Sequence, residues 1–371
     1  MRKYLFLVLM AMVVGAHADT TLPLSGHVYG PADPHIQYVG RISFQNPEAP
    51  QFNFPGAQVN VCFEGTTLRM VCKPKSGYWM ARIDDAEPFK VAFTGQSDSV
   101  VTLCTALPQG RHTARIMYCI EGYQLKPEFR GFVTDGQLVA PPALPSKKIE
   151  FIGNSITCGY GNESMDANDH YCYETQNHYY SYAQRTARQL GAVAHVVARS
   201  GIGAYRNYDG PRTGTPDNCM TAQYEYTLYA ERSELRSQGG STGERWDFSR
   251  FQPDVVCVNL GTNDLSTNNY DTALLKEGYK KLLTMIRQHN PKAKIVFLTG
   301  TMLQGTELDI CKRLLNEVAD EAHRTGDPHV YRFDMTPQGS LGFGADWHPS
   351  FEQHQVMANE LTAYLRQLMN W

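Results

Sequence analysis

Ser155, Asn263 and His348 are residue types that together suit acyl transfer: a hydroxyl nucleophile, an amide donor for a developing oxyanion and an imidazole base. They stand in the short stretches Gly153-Asn154-Ser155-Ile156-Thr157, Gly261-Thr262-Asn263-Asp264 and Asp346-Trp347-His348-Pro349. A fourth stretch, Ser200-Gly201-Ile202-Gly203, offers a glycine turn whose backbone N–H can approach a ligand closely. Each has an ordinary reading when taken alone. Ser155 suits a helix cap, the glycines a strand-to-helix turn, Asn263 a turn or cap, and His348 a structural histidine. The serine does not lie in a G-x-S-x-G elbow. What gives the set weight is its order. The stretches holding Ser155, Gly201 and Asn263 follow apolar segments that read as strands, and His348 occupies the last polar loop before the C-terminal helix, so one sheet edge can collect them all. Asp264 better suits securing its loop than chemistry.

The elements that must position these groups fall into two halves. From residue 20 to about 138 the chain shows short apolar runs bounded by Gly, Pro or Asp, among them Gln58–Phe63, Thr67–Cys72, Tyr78–Ile83, Phe89–Phe93, Val100–Cys104 and Thr113–Ile120. Helical periodicity is absent, and close-spaced short strands predict a sandwich or jelly roll. A stiff connector with Pro141, Pro142 and Pro145 follows. From Lys148 onward strands and helices alternate. Strands are expected at 149–152, 193–198, 254–260, 295–298 and 330–333, and helices at 179–190, 272–289, 308–323 and 350–368. That pattern predicts a doubly wound parallel sheet with its active site at the carboxyl ends of the strands. The expected organisation is a targeting segment over 1–18, a β-sandwich (jelly-roll) domain over 19–140 and an α/β domain over 146–371.

The targeting segment is read from Arg2 and Lys3, the apolar run Tyr4–Val14, too short to span a bilayer, and the cleavage-like Ala16-His17-Ala18. Export to the periplasm or the outside is therefore expected, with no membrane span in the mature chain. A net charge of −3, from 37 acidic and 34 basic residues interspersed, speaks against a nucleic-acid partner. Nine cysteines leave at least one unpaired, and their spacing disfavours zinc. Cys62, Cys72, Cys104 and Cys119 read as core residues. Export makes a Cys158–Cys172 disulfide around the loop after Ser155 an open option. No metal and no cofactor are expected.

Together these blocks resemble the SGNH (GDSL-like) hydrolase superfamily, with Asn154 where Gly-Asp-Ser is commoner. The stretch Gly153 to Gly161, the run Ser200 to Tyr208, and Asp346 to Ser350 further resemble carbohydrate esterase family 2, as do Val39-Gly40-Arg41 and Phe54-Pro55-Gly56-Ala57 in the β half. The resemblance implies an N-terminal jelly roll joined to an SGNH hydrolase domain, and removal of O-acetyl groups from acetylated polysaccharide, typically xylan-type hemicellulose. It implies Ser155 as nucleophile, His348 as base and then acid, and an oxyanion hole from the Ser155 N–H, Gly201 or Gly203 (with Gly203 favoured) and Asn263. One departure stands out: the usual carboxylate position three residues before the histidine is Ala345. Asp346, two before, is expected to support His348, a backbone carbonyl being the alternative. Trp347 is a candidate sugar-stacking wall, with simple packing weighing equally. Two other readings remain: a non-catalytic carbohydrate-binding protein, and an SGNH lipase, thioesterase or peptidoglycan O-acetylesterase.

Overall fold

The computed structural model describes residues 25–229 and 243–371, and the expected targeting segment, 1–18, lies outside them. The N-terminal half is built from two antiparallel sheets. One carries β1 (His27–Tyr29), β9 (Phe129–Thr134), β4 (Leu68–Cys72) and β7 (Val100–Cys104) in that order. In the other, β10 (Gln137–Val139), β3 (Gln58–Glu64), β8 (Arg111–Tyr118), β5 (Gly77–Ile83) and β6 (Phe89–Phe93) run side by side, and β2 (Ile36–Val39) also pairs with β3. β3 and β4, joined through Glu64-Gly65, are not a hairpin: they pair in different sheets. Their inward residues, including Val59, Val61, Phe63, Leu68 and Met70, meet Trp79, Val91, Ile116 and Phe132 in one buried core. Alternation with period two sends the intervening residues outward.

The second half is a five-stranded parallel sheet ordered β12 (Val193–Ala198), β11 (Lys148–Gly153), β13 (Val255–Asn259), β14 (Lys294–Thr299) and β15 (Val330–Asp334). Helices sit on both faces, which is why β13 reads Val255-Val256-Cys257-Val258 without a polar break. A one-turn helix, α1 (Ser155–Cys158), follows β11 directly, and a second short one is α3 (Met220–Gln223). α2 (Tyr182–Leu190) and α6 (Phe351–Met369) pack on one face through Ala187, Met357 and Leu361. α4 (Thr272–His289) and α5 (Gly305–Arg324) cover the other through Leu282, Ile286, Leu315 and Val318. The sequence pattern merges residues 179–190 into one helix. The structure breaks it at Ser181, which ends a 3-10 turn and caps α2 by accepting from the Gln184 N–H.

The two halves are joined by buried polar contacts. Arg41 is fully buried and pairs with Glu150 at 3.1 Å, and the Tyr224 hydroxyl donates to the same carboxylate at 2.8 Å. Arg41 also donates to the Tyr226 carbonyl at 2.9 Å, so the buried charge is paired and hydrogen-bonded. The nine cysteines are all free. Cys158 is buried beneath the loop that leaves Cys172 exposed, so the disulfide considered from sequence is not formed.

Candidate active site

The chain leaves β11, the sheet's second strand, for β12 at the edge and returns to β13 on β11's other side. The reversal opens a crevice at the carboxyl ends of these strands, where open α/β sheets bind ligands. Ser155 follows β11, Gly201 follows β12 and Asn263 follows β13, so the three loops meet at the crevice. Ser155 reaches it through a tight turn. Asn154 caps α1 by accepting the Ile156 N–H at 3.0 Å. Gly153 packs so closely that an added Cβ would fall 2.0 Å from Thr157 Oγ1. An asparagine oxygen serves this cap as well as the commoner aspartate.

His348 Nε2 lies 2.9 Å from Ser155 Oγ. The other ring nitrogen, Nδ1, is 3.1 Å from the carbonyl oxygens of both Ala345 and Asp346. Two carbonyls can only accept, so Nδ1 carries the proton and Nε2 is left to accept from the serine. This geometry depends on two successive residues in the left-handed region, Asp346 at φ 47° and Trp347 at φ 60°. Such backbone is costly for non-glycine residues and persists where surroundings enforce it. Burial drives the imidazole down to about 4, against the raising effect of the two carbonyls, so it is neutral near pH 7.

The Asp346 carboxylate does not take the place expected for it. It accepts from the Tyr160 hydroxyl at 2.7 Å and the Tyr171 N–H at 2.9 Å, and it lies 3.0 Å from His170 Nδ1. Asp346 therefore supports His348 with its backbone while its side chain fixes Tyr160. That ring stacks on the imidazole with centroids 4.0 Å apart. The local reason is the left-handed turn, which aims the carbonyls inward and the carboxylate toward the 160–171 loop.

The donors sort just as clearly. Gly201 lines the cleft, and a Cβ built on it would meet open space. Gly203 sits behind: its N–H donates to Asn207 Oδ1 at 3.2 Å, and a Cβ there would strike Arg206 O at 2.0 Å. The geometry therefore puts Gly201 at the cleft and the favoured Gly203 away from it. Gly203 serves close packing of its loop instead. Asn263 donates one amide hydrogen to Ile202 O at 2.8 Å, which orients the side chain and leaves the second for a ligand. Asp264, fully buried, accepts N–H bonds from Ala204, Tyr205, Arg206 and Gly261 at 2.9–3.1 Å. It ties the Gly201 and Asn263 loops into one unit.

One contributor escaped sequence reasoning. Glu121, buried at the end of the β domain, accepts from Ser200 N at 2.6 Å and Ser200 Oγ at 2.5 Å. Gln176 donates to it at 3.2 Å, and burial pushes its carboxyl up despite these bonds. The β domain thereby holds the residue next to Gly201. The only hint in the sequence is a lone acid closing the apolar run Ile116–Ile120.

The cleft over Ser155 has a volume of about 790 Å³. Leu265, Met302 and Leu303 form its apolar side, and Gln304, Glu307 and Ser266 its polar side. Tyr208, also in its wall, and Trp347, beside His348, are 64% and 56% exposed, unusually open for large aromatics. Trp347 also packs its ring on Phe343 at 5.0 Å.

Residues 38–142 match the carbohydrate esterase 2 N-terminal family, and residues 151–356 match the GDSL-like lipase/acylhydrolase family. The chain is 38% identical to the cellulase/esterase CelE of Acetivibrio thermocellus over 91% of its length, and spans 40% of that protein. It is 28% identical to an acetylxylan esterase / glucomannan deacetylase of Cellvibrio japonicus, covering 95% of this chain and 94% of the relative. A family two carbohydrate esterase from Clostridium thermocellum, solved with cellohexaose, superimposes with TM-score 0.80 at 38% identity, over 91% of this chain and 99% of that one. The chain belongs to the GDSL-like lipase/acylhydrolase family of carboxylic ester hydrolases and has the two-domain architecture of carbohydrate esterase family 2.

Proposed function

We propose that this protein removes O-acetyl groups from polysaccharide of the xylan type through an acetyl-serine intermediate. The observation that carries the reading is the 2.9 Å contact of Ser155 Oγ with a neutral, carbonyl-anchored His348 at the floor of an open cleft. His348 Nε2 takes the Ser155 proton as Oγ bonds to the acetyl carbonyl carbon. The negative charge on the carbonyl oxygen is received by the N–H groups of Ser155 and Gly201 and the free hydrogen of the Asn263 amide. Collapse breaks the bond to the sugar oxygen, which leaves with the proton from His348. Water then gives a proton to His348 as its oxygen bonds to the acetyl carbon, and collapse breaks the bond to Ser155 Oγ, which takes that proton back from His348 as acetate leaves.

The open Tyr208 and Trp347 rings support a sugar rather than a long acyl chain, since aromatic faces stack on the apolar faces of sugar rings. The relative crystallised with cellohexaose and the acetylxylan esterase relative support the same substrate class. Export, proposed from residues 2–18, accords with a polymeric substrate. The test is acetate release from acetylated xylan and glucomannan compared with a p-nitrophenyl ester series. Acetate should be the preferred acyl group and Ser155→Ala should abolish release. Preference for long acyl chains, or full activity without Ser155, would overturn the reading.

A further inference from the structure

A second cleft, of about 340 Å³, lies where the β domain meets the opposite end of the parallel sheet. Its walls include Gly191–Ala194, at the amino end of β12, and the linker Pro141–Pro145. Ser155 sits at the carboxyl ends of the same strands, so the two clefts are separate. The β-domain wall is a polar row running across four strands. Gln37 on β2 is opposite Asn60 on β3, Asn60 is opposite Arg115 on β8, and Arg115 is opposite Arg82 on β5. Directly opposed residues share a face, so all four point into the cleft side of the sheet. α2 supplies Arg188 from the facing wall.

Three arginines thus line one cleft, and none of its lining residues is acidic. The Arg115 side chain makes no hydrogen bond or ion pair among the described residues. Arg188 rests on the Tyr179 ring at 4.0 Å without a carboxylate partner among the described residues, whereas Arg82 is held by its own turn, donating to Ala86 O at 3.0 Å and Asp85 O at 3.2 Å and meeting the exposed Asp85 carboxylate at 3.4 Å. Asn60 is 94% buried, yet its Oδ1 has no donor. Its amide nitrogen makes a long contact of 3.5 Å with Gln37 Oε1, and Gln37 in turn donates to Pro142 O. A buried acceptor without a donor is costly unless a ligand supplies one. The volume suits a small-molecule site.

We infer that this cleft is a second saccharide site, and that it takes a sugar carrying a carboxylate. The carboxylate would bridge Arg115 and Arg188, whose planar forks match it. A ring hydroxyl would donate to Asn60 Oδ1. That requirement selects a hydroxylated acid over a bare inorganic anion, and the arginines select it over a neutral sugar. The site stands independently of the esterase reading, since no residue of it belongs to the Ser155 cleft.

The test is calorimetric titration of the full chain with glucuronate-bearing and galacturonate-bearing oligosaccharides, a neutral xylo-oligosaccharide and inorganic phosphate. Arg115→Ala and Arg188→Ala, both at exposed positions, should each weaken acidic-oligosaccharide binding by about tenfold or more. They should leave neutral-oligosaccharide binding and p-nitrophenyl acetate turnover unchanged. Raising salt should weaken only the acidic ligands. Comparing the two uronates identifies the preferred epimer. Should Arg115→Ala fail to fold, Arg115→Gln keeps the stem and serves in its place. Acidic binding indifferent to both arginines, absence of acidic binding, or phosphate binding as tightly at the same arginines would overturn the inference.

Discussion

Asp346→Asn separates the two ways of supporting His348. If the carboxylate were the acceptor on Nδ1, its loss would favour the wrong tautomer. The cost would be about four orders of magnitude in kcat, roughly 5.4 kcal/mol. In the structure Nδ1 instead faces the carbonyls of Ala345 and Asp346 at 3.1 Å, and no side-chain change removes those. The substitution touches only the contacts of the carboxylate with Tyr160, Tyr171 and His170. Hydrogen bonds to a charged group are worth about 1.5–3 kcal/mol, and an amide oxygen retains part of that. Only the share that shifts Tyr160 against the imidazole reaches the transition state, so about 1 kcal/mol is expected, roughly a three- to tenfold fall in kcat. Asparagine rather than alanine is the right probe because it tolerates the φ of 47° at this position. The assay is p-nitrophenyl acetate hydrolysis alongside a thermal melt. A loss beyond about a thousandfold with an unchanged melt would refute the carbonyl-anchored account.

Asn263→Ala removes one oxyanion donor and should lower kcat by about a hundredfold or more with KM little changed; a fall under threefold would take Asn263 out of that role. Glu121→Ala should lower kcat by about ten- to a hundredfold through a loosened Ser200-Gly201 turn, with KM nearly constant and activity largely restored in Glu121→Gln. Equal losses in both variants, or a change confined to KM, would contradict a positioning role. With His348 held at about 4, log kcat/KM should stay flat down to about pH 5 and fall below it; a limb centred near 6.5 would show that burial does not act as described. Burial also brings His178 and His354 down to about 3. The unfolded chain takes up these protons below about pH 6.5, so the stability is whole above that pH and drains away as pH falls toward 3. At pH 5 each histidine costs about 2 kcal/mol, and urea denaturation at pH 7.5 and 5 should differ by at least that much.

The sequence made the architecture legible because its periods are strong. The continuous apolar run of β13 is what a strand covered on both faces must look like, and the proline connector marks the change from period-two to strand–helix alternation. Ser155, Asn263 and His348 were legible for a related reason: each lies in the loop where a strand-to-helix turn must be made. What stayed hidden depends on contacts across the fold. Nothing local tells that Asp346 turns its carboxylate toward Tyr160, since that follows from a left-handed turn in two non-glycine residues. Gly201 and Gly203 look alike in sequence, and only the neighbouring Asn207 and Arg206 distinguish them. Glu121 acts from the other domain, so no motif could join it to Ser200. Cys158 and Cys172 flank one loop, yet packing buries one and exposes the other.

The most direct test of the Ser155–His348 mechanism is to trap the acyl-enzyme. Rapid acid quench during turnover of an isotopically labelled acetyl ester, followed by peptide mass spectrometry, should place one acetyl group on Ser155, and His348→Ala should abolish its formation. Rapid turnover with no label on the protein, or with the acetyl group on another residue, would contradict the mechanism.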